Sequence, residues 1–517
     1  MAGITVRNPL SGEILYNIAE PTDDEIRQVF ATAQTAHANV SAMSVQERVA
    51  ETLKLKRYIM ERREQICDKV IRETGKSRLD ALLTEIFPVI DLIDYYAKNA
   101  AKILADQKAP TPLILMGKKS YVCFEPIGPV LVISPWNYPF TLSFLPTLCA
   151  FLAGNSAILK PSKETPLKGV MEDIVKNSGF MPDAIQVFYG TREAATKLID
   201  LKPAKIFFTG SVAAGKKIMA QASQHLIPVE LELGGKDPMI VFDDVDLERT
   251  VNGALWGAFT NTGQSCTSVE RVYVQESIYD QFVAMAKEKA ARLSTFASKP
   301  DDQGDLDVGT MTTESQLTTL DEHLQDAIDK GATILAGGPR KPGSSIFPPT
   351  VLADANNSMK AVTDETFGPL LPIMKFSTEE EAIALANDSP YGLSASVWSK
   401  DLERAQRVAR KIVTGNVSIN NVMATEGNSG LPFGGVKDSG FGRYKGPYGL
   451  YTFSNVKSIL VDKQSAKLEP NWYPYTKEKY AALSKLIDAA YSGGIMGLIR
   501  TAIVGMRLES LARKQRL

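Results

Sequence analysis

The chain has 517 residues, 44% hydrophobic and 23% charged, with 58 Lys and Arg against 59 Asp and Glu. That length accommodates two or three domains with substantial cores, and the apolar share excludes wholesale disorder. A net charge of −1 leaves no global basic field, so no nucleic-acid partner is expected. Cys67, Cys123, Cys149 and Cys266, with three histidines and no Cys-x-x-Cys, spell neither a disulfide framework nor a metal site.

The opening, MAGITVRNPLSGE, lacks the apolar core of a signal peptide, which predicts a cytoplasmic chain. Thr22 to Glu25 and Ser44 to Glu47 have the spacing of capping boxes. Behind them Ile26, Val29, Phe30 and Ala33, then Val49 and Leu53, recur at helical spacing, and charge-rich helical sequence continues to about Leu104. This predicts exposed helices around a core. Residues 126–159 carry no charge over 34 positions, yet Pro129, Pro135, Pro139 and Pro146 cut them too short to cross a bilayer; a buried strand, a loop and a buried helix are predicted.

Short β-branched runs then recur every 20 to 28 residues: Val130 to Ile133, Ala157 to Leu159, Ile185 to Phe188, Lys205 to Phe208 and Val229 to Leu233. They predict βαβ units on a parallel sheet. A second α/β region has predicted strands at Arg271 to Val274, Leu371 to Phe376 and Ser394 to Trp398, separated by turn-rich stretches at Ser294 to Asp307 and Gly337 to Ile346.

The sharpest chemical signal is Asn261-Thr262-Gly263-Gln264-Ser265-Cys266, which follows Leu231-Glu232-Leu233-Gly234-Gly235-Lys236. A cysteine is a nucleophile as thiolate, and a nearby carboxylate can take a proton from it or activate a water. Cys149 lies in an apolar run and reads as core, whereas Cys266 sits among Gly, Ser, Thr and Asn. After the strand Ile206-Phe207-Phe208, Gly210 to Lys217 nearly matches a phosphate-binding P-loop, but Lys217 stands where a magnesium-holding Ser or Thr is needed. A strand, a Gly-containing turn and a helix N-terminus still suit a dinucleotide pyrophosphate, with Gly210, Ser211 and Gly215 as candidates.

Seven motifs follow in order: Pro135-Trp136-Asn137-Tyr138-Pro139, Lys160-Pro161-Ser162, Phe208-Thr209-Gly210-Ser211, Glu232-Leu-Gly-Gly-Lys236, Gly263-Gln-Ser-Cys266, Glu365-Thr-Phe367-Gly-Pro369 and Pro432-Phe-Gly-Gly435. This series resembles that of the aldehyde dehydrogenase superfamily, over about residues 5–460. The resemblance implies oxidation of an aldehyde to a carboxylic acid with NAD or NADP. It implies Cys266 as nucleophile, Asn137 with the Cys266 backbone N–H as oxyanion donors, and Glu232, rather than Glu230, as activator of water. Lys160 and Glu365 would hold the riboses, Ser211 the pyrophosphate, and Trp136 and Phe367 would belong to the cofactor site. Lys163 stands where NAD-preferring members usually carry a glutamate; an ammonium there could attract a 2′-phosphate, which leaves NADP open.

Tyr138, Leu142, Leu145 and Phe433 match tunnel-lining positions of relatives, and Tyr138 to Leu152 contains no Arg or Lys, which favours an apolar aldehyde, aliphatic or aromatic, over a dicarboxylic one. A CoA-acylating member and a non-catalytic relative are the alternatives. The expected architecture is α/β: a doubly wound parallel-sheet cofactor domain (1–107 and 128–235), a catalytic domain (236–453) and a small β oligomerisation element (108–127 and 454–463) of a homodimer or homotetramer. A helical tail (464–517) completes it. The tail resembles the C-terminal region of fatty aldehyde dehydrogenases. Tyr480, Leu483, Ile487 and Ala490 fall on one helix face and predict a helix docked on the protein body. Beyond Gly493-Gly494, Ile495 to Leu511 is largely apolar and ends in Arg513-Lys514-Gln515-Arg516, suiting peripheral membrane contact, a cover for the substrate tunnel, or packing at a subunit interface.

Overall fold

The computed structural model describes residues 3–112, 115, 117–301, 304–463 and 468–514; Gln515 and Arg516 of the basic end lie outside the described residues. Two compact units are present, one of residues 1–104 with 125–455, the other of 105–124 with 456–517.

The first unit contains two large sheets. In one, strands Val130–Ile133, Ala157–Lys160, Ile185–Val187, Lys205–Thr209 and Val229–Glu232 are all parallel. The strand that comes first in the chain lies in the middle, with the next two on one side and the last two on the other. Strand order therefore reverses between Val130–Ile133 and Lys205–Thr209, and the crevice beyond their carboxyl ends is where such sheets bind ligands. The short strand Gly440–Phe441 pairs antiparallel with Val229–Glu232 at the edge. Residues from the expected catalytic region thus complete the first sheet, and Phe433, Tyr444, Leu450 and Phe453 share a core with the helices of the opening. Residue numbers alone do not separate the two regions.

The second sheet, seven-stranded, runs Thr333–Ala336, Thr350–Ala353, Leu370–Phe376, Val269–Gln275, Asp237–Val241, Ser394–Trp398 and Asn416–Ile419, parallel apart from its first strand. Only Leu233 to Lys236 separate the last parallel strand of the first sheet from the strand Asp237–Val241 of the second.

Both capping boxes form, Thr22 with Glu25 and Ser44 with Glu47. The uncharged stretch is a buried strand, a loop and the buried helix Thr141–Leu152, which tolerates Pro146. Two expectations about the opening need correction. The chain begins with an antiparallel hairpin, Ile4–Arg7 with Ile14–Ile18, ahead of the helices. The helices are also far from surface decoration: Val89, Leu92, Ile93 and Tyr96 are wholly buried, and a π-helical turn, Leu82–Ile86, interrupts the series.

In the second unit Gln107–Ala109, Lys119–Pro126 and Ser454–Val461 form a three-stranded sheet. Helices Lys477–Tyr491 and Gly494–Lys514 pack on each other, with Lys479, Ala482 and Ala489 buried on one and Gly497, Thr501, Leu508 and Ala512 on the other. The predicted docking face is therefore wrong by part of a turn. Tyr480 is 78% and Ile487 59% exposed, whereas the buried side of that helix carries Lys479, Ala482 and Ala489. No helix among the described residues is long and apolar enough to cross a membrane.

Candidate active site

The residues singled out from sequence converge where the carboxyl edge of the first sheet meets the amino edge of the second. Asn137 follows strand Val130–Ile133, Lys160 ends its strand, Gly210 and Ser211 follow Lys205–Thr209, and Glu232 ends Val229–Glu232. Cys266 immediately precedes Val269–Gln275, and Glu365 and Phe367 precede Leu370–Phe376.

The loop that presents Cys266 is held in a strained shape. Helix Leu247–Phe259 stops at Thr260, and Asn261, Thr262 and Gly263 take φ values of 51°, 58° and 68°. Left-handed non-glycine residues cost about 1–3 kcal/mol each and persist only when neighbours fix them. Asp80 does so, accepting hydrogen bonds from the Thr260 hydroxyl at 2.8 Å and the Asn261 N–H at 2.9 Å. The Asn137 amide donates to the Gln264 carbonyl oxygen at 3.0 Å, and the Asn261 amide bridges that oxygen and the Asn137 carbonyl.

Behind Asn137 lies a pair that sequence reasoning missed. Lys76 and Glu85 are fully buried and 2.6 Å apart. The Lys76 ammonium also donates to the Asn137 carbonyl at 2.9 Å and stands 4.6 Å from the Tyr138 ring centre. Glu85 accepts from the Phe140 and Thr141 N–H groups. One short segment, Lys76 to Glu85, thus fixes both the Asn137 loop and, through Asp80, the Cys266 loop. Nothing in a charge-rich helical stretch signals that these charges point inward.

Burial pushes the Cys266 thiol well above its ordinary pKa, and the carboxyl groups of Glu426, Asp237, Glu365 and Glu232 add to the effect. Glu232 is buried, and among the described residues neither of its oxygens has a hydrogen-bond partner. Burial, then repulsion from Glu230, raises its pKa far above the carboxylate range, against the pull of Arg443 and Lys445. Glu230 is engaged otherwise, by Lys205 at 2.7 Å and by the Thr452 hydroxyl.

On the other side of the crevice, Lys160 is buried and, among the described residues, its ammonium is bonded only to the Pro161 carbonyl, at 3.3 Å. Desolvation lowers its pKa to about 8. Lys163 is exposed and paired with Glu164 at 3.2 Å. Ser211 caps helix Val212–Ser223 by accepting from the Ala214 N–H. Gly215 packs: a Cβ there would meet Leu233 Cδ2 at 2.7 Å. Lys216 pairs with Asp438 at the surface, so the P-loop likeness is not expressed.

Glu365 accepts from the Gly235 N–H at 3.0 Å, and burial, then Glu270, raises its pKa to about 8. Phe367, at φ 51°, meets the Trp136 ring edge-on at 5.4 Å between centres. A second buried pair missed from sequence holds this loop: Glu270 accepts from the Thr366 and Phe367 N–H groups and from Lys236 at 2.5 Å. An uncompensated buried ammonium, a capped helix N-terminus at the switch point and an aromatic pair suit a dinucleotide's hydroxyls, phosphates and ring.

Of the expected tunnel residues, Tyr138 and Phe433 are buried aromatics, the latter edge-on to Tyr444. Leu142 is half-buried, and Leu145 belongs to the core.

Residues 2–459 match the family described as the aldehyde dehydrogenase family. Over 493 residues the chain is 42% identical to a protein of Methylomonas sp named 4,4'-diapolycopene aldehyde oxidase, covering 95% of this chain and 92% of that one. A crystal structure of an E. coli NADP dependent enzyme has a TM-score of 0.84 at 31% identity, covering 89% of this chain and 95% of that one. A Mycobacterium tuberculosis aldehyde dehydrogenase complexed with NAD+ has a TM-score of 0.84 at 31% identity, covering 90% and 95%.

Proposed function

The chain belongs to the aldehyde dehydrogenase family, and on that premise we propose that it oxidises an apolar aldehyde, long-chain aliphatic or aromatic, to the acid through Cys266. The enzyme is an NAD(P)-dependent aldehyde dehydrogenase. The observation that carries the reading is the meeting of Cys266, the Asn137 amide and the unpartnered Glu232 carboxyl at one sheet junction.

In this mechanism Cys266 attacks the aldehyde carbon, and the oxyanion of the thiohemiacetal accepts from the Asn137 amide and the Cys266 N–H. When bound, the nicotinamide supplies the hydride acceptor that turns thiohemiacetal into thioester. Glu232 then takes a proton from the water that attacks the thioester. Its raised pKa fits a carboxyl that ionises once that water hydrates it. Lys160 and Glu365 would hold ribose hydroxyls, Gly210 and Ser211 the pyrophosphate, Phe367 would pack beside the nicotinamide, and Trp136 would belong to the same cofactor site. Lys163 is available to a 2′-phosphate. Residues 108–127 and 454–463 serve a homodimer or homotetramer. Glu232 favours water over CoA as thioester acceptor.

The apolar preference is supported by Tyr138 and Phe433, by the pairing of nearby Lys76 with Glu85, and by the name of the Methylomonas relative. The tail adds an exposed apolar surface, including Ile495, Met496, Leu498, Ile503 and Met506, beside exposed Arg500 and Arg507. A cytoplasmic enzyme with that surface suits peripheral contact with an anionic membrane. Initial rates with aldehydes of about two to sixteen carbons, with each cofactor, test the reading; kcat/KM rising with apolar chain length is expected. A preference for a dicarboxylic semialdehyde would overturn it, and acyl-CoA formation on adding CoA would favour the acylating alternative.

A further inference from the structure

Hydride leaves the thiohemiacetal carbon along a narrow range of directions, so the reaction needs a fixed backing for the nicotinamide as much as it needs a nucleophile. The loop Glu365 to Gly368 touches all three elements that carry the proposed chemistry. A Cβ on Gly234, two residues after Glu232, would lie 2.3 Å from Glu365 Oε2, and one on Gly263, three before Cys266, would lie 2.4 Å from the Gly368 carbonyl oxygen. Phe367 meets Trp136, the residue before Asn137, edge-on at 5.4 Å between ring centres.

Glu270 grips this loop. It lies on strand Val269–Gln275, four residues past Cys266, so the nucleophile and the grip share one strand start. Phe367, at φ 51°, is left-handed, a conformation that persists only where neighbours fix it. Glu270 Oε1 accepts from the Phe367 N–H at 3.0 Å and Oε2 from the Thr366 N–H at 2.8 Å. The buried Lys236 ammonium, 2.5 Å from Oε2, also donates to the Thr366 hydroxyl at 3.0 Å. An ammonium only donates, so the Thr366 oxygen accepts there and its own proton is left for Nδ1 of the buried His323 at 3.1 Å. Gln316 donates to the Thr366 carbonyl at 2.5 Å. The N–H, carbonyl and hydroxyl of Thr366 are therefore all engaged, and of these partners only Glu270 also reaches Phe367.

We propose that Glu270 is a positioning residue for hydride transfer: through two backbone N–H groups it fixes Phe367, and with it the nicotinamide, relative to the carbon bonded to Cys266. In that step the C–H bond of the thiohemiacetal breaks, its electron pair leaves with the hydrogen to reduce NAD(P), and the oxyanion pair closes the thioester carbonyl. Glu270 exchanges no proton and touches no reacting atom. The proposal rests on reading Cys266 as the nucleophile and Phe367 as part of the cofactor site.

Two reactions of the full-length protein separate hydride transfer from the rest of the site. Cofactor-free hydrolysis of a p-nitrophenyl ester uses Cys266, Asn137 and Glu232 but moves no hydride, whereas the first-turnover burst of NAD(P)H from an apolar aldehyde does. Glu270→Gln, which offers one oxygen to two N–H groups, should slow the burst at least ~10-fold while ester hydrolysis stays within about twofold of the wild type. In the cofactor-free protein, hydrogen exchange of the peptide containing Thr366 and Phe367 should quicken. Glu270→Gln also strands the Lys236 ammonium, so the double variant Glu270→Gln with Lys236→Met is measured in the same way alongside melting curves, and its burst should remain slow. Burst and ester hydrolysis falling together would make Glu270 a general support of the fold, and an unchanged burst or unchanged exchange would detach it from the loop; each overturns the proposal. A wild type that hydrolysed the ester but gave no NAD(P)H with any aldehyde would instead overturn the reading of function on which the proposal rests.

Discussion

The Asn137 side-chain amide and the Gln264 carbonyl oxygen are 3.0 Å apart across 127 positions of chain. The bond ties the intended oxyanion donor to the loop that carries the nucleophile. Asn137→Ala should therefore lower kcat by about 10²–10³, roughly 2.7–4 kcal/mol of transition-state stabilisation, with little change in KM. Steady-state kinetics alongside a melting curve checks it; a drop in KM-dependent binding alone would place Asn137 outside the chemistry.

Glu232→Gln should leave a fast first turnover and a stalled acyl-enzyme, because thioester formation does not need the water-activating carboxyl. Rapid mixing should show a burst of about one NAD(P)H per site followed by little turnover, and intact-mass measurement should find the acyl adduct on Cys266. Full steady-state turnover would remove Glu232 from the hydrolysis step.

Lys76→Met should destabilise the fold by about 3–5 kcal/mol in urea titration, since it strands Glu85 in the interior. The double replacement Lys76→Met with Glu85→Leu should recover part of that loss. Its kcat should stay depressed, because the Asn137 carbonyl and the Phe140 and Thr141 N–H groups would still lack their partners.

Much of the first sheet was legible because its strands are bare β-branched runs between polar helices. Strand Asp237–Val241 escaped notice because it starts straight after Gly-Gly-Lys and carries Pro238. The first strand of the opening hairpin alternates, with Ile4 and Val6 buried, but the second does not, the two are only four and five residues long, and the helical signal behind them is louder. Cys266, Glu232 and Asn137 stand in distinctive motifs, whereas Lys76, Asp80, Glu85 and Glu270 do not. Their chemistry depends on burial and on partners brought from remote segments, and a charge in sequence carries no mark of which way it will point.

Lys160 links cofactor binding to pH. Its folded-state pKa of about 8 lies below the ordinary 10.5, so between those values the unfolded chain binds more protons and stability should rise with pH. Below about 8 both states carry the proton and the contribution is flat. Lys160→Met should abolish the rise in cofactor-free thermal melts. NADP affinity should fall above about pH 8 more steeply than NAD affinity, and Lys163→Glu should raise the KM for NADP selectively. Equal loss with both cofactors would return Lys163 to the role of a surface lysine.

Truncation after Ser492 should release the protein from anionic vesicles and raise the KM of a sixteen-carbon aldehyde more than that of a six-carbon one. It removes the exposed Ile495, Met496 and Leu498 together with the basic residues of the last helix. Unchanged vesicle binding and unchanged KM values would leave the tail without either role.

The connector Leu233 to Lys236 works as a spacer of fixed gauge. Glu232 ends the last parallel strand of one sheet and Asp237 begins the first strand of the other, and a methyl group on Gly235 would fall 2.2 Å from the Cys266 carbonyl oxygen. With no slack on the chain and no clearance beside it, sliding one sheet past the other changes the separation between Glu232 and Cys266 directly. Alignment between those two side chains is thus set when the two sheets assemble.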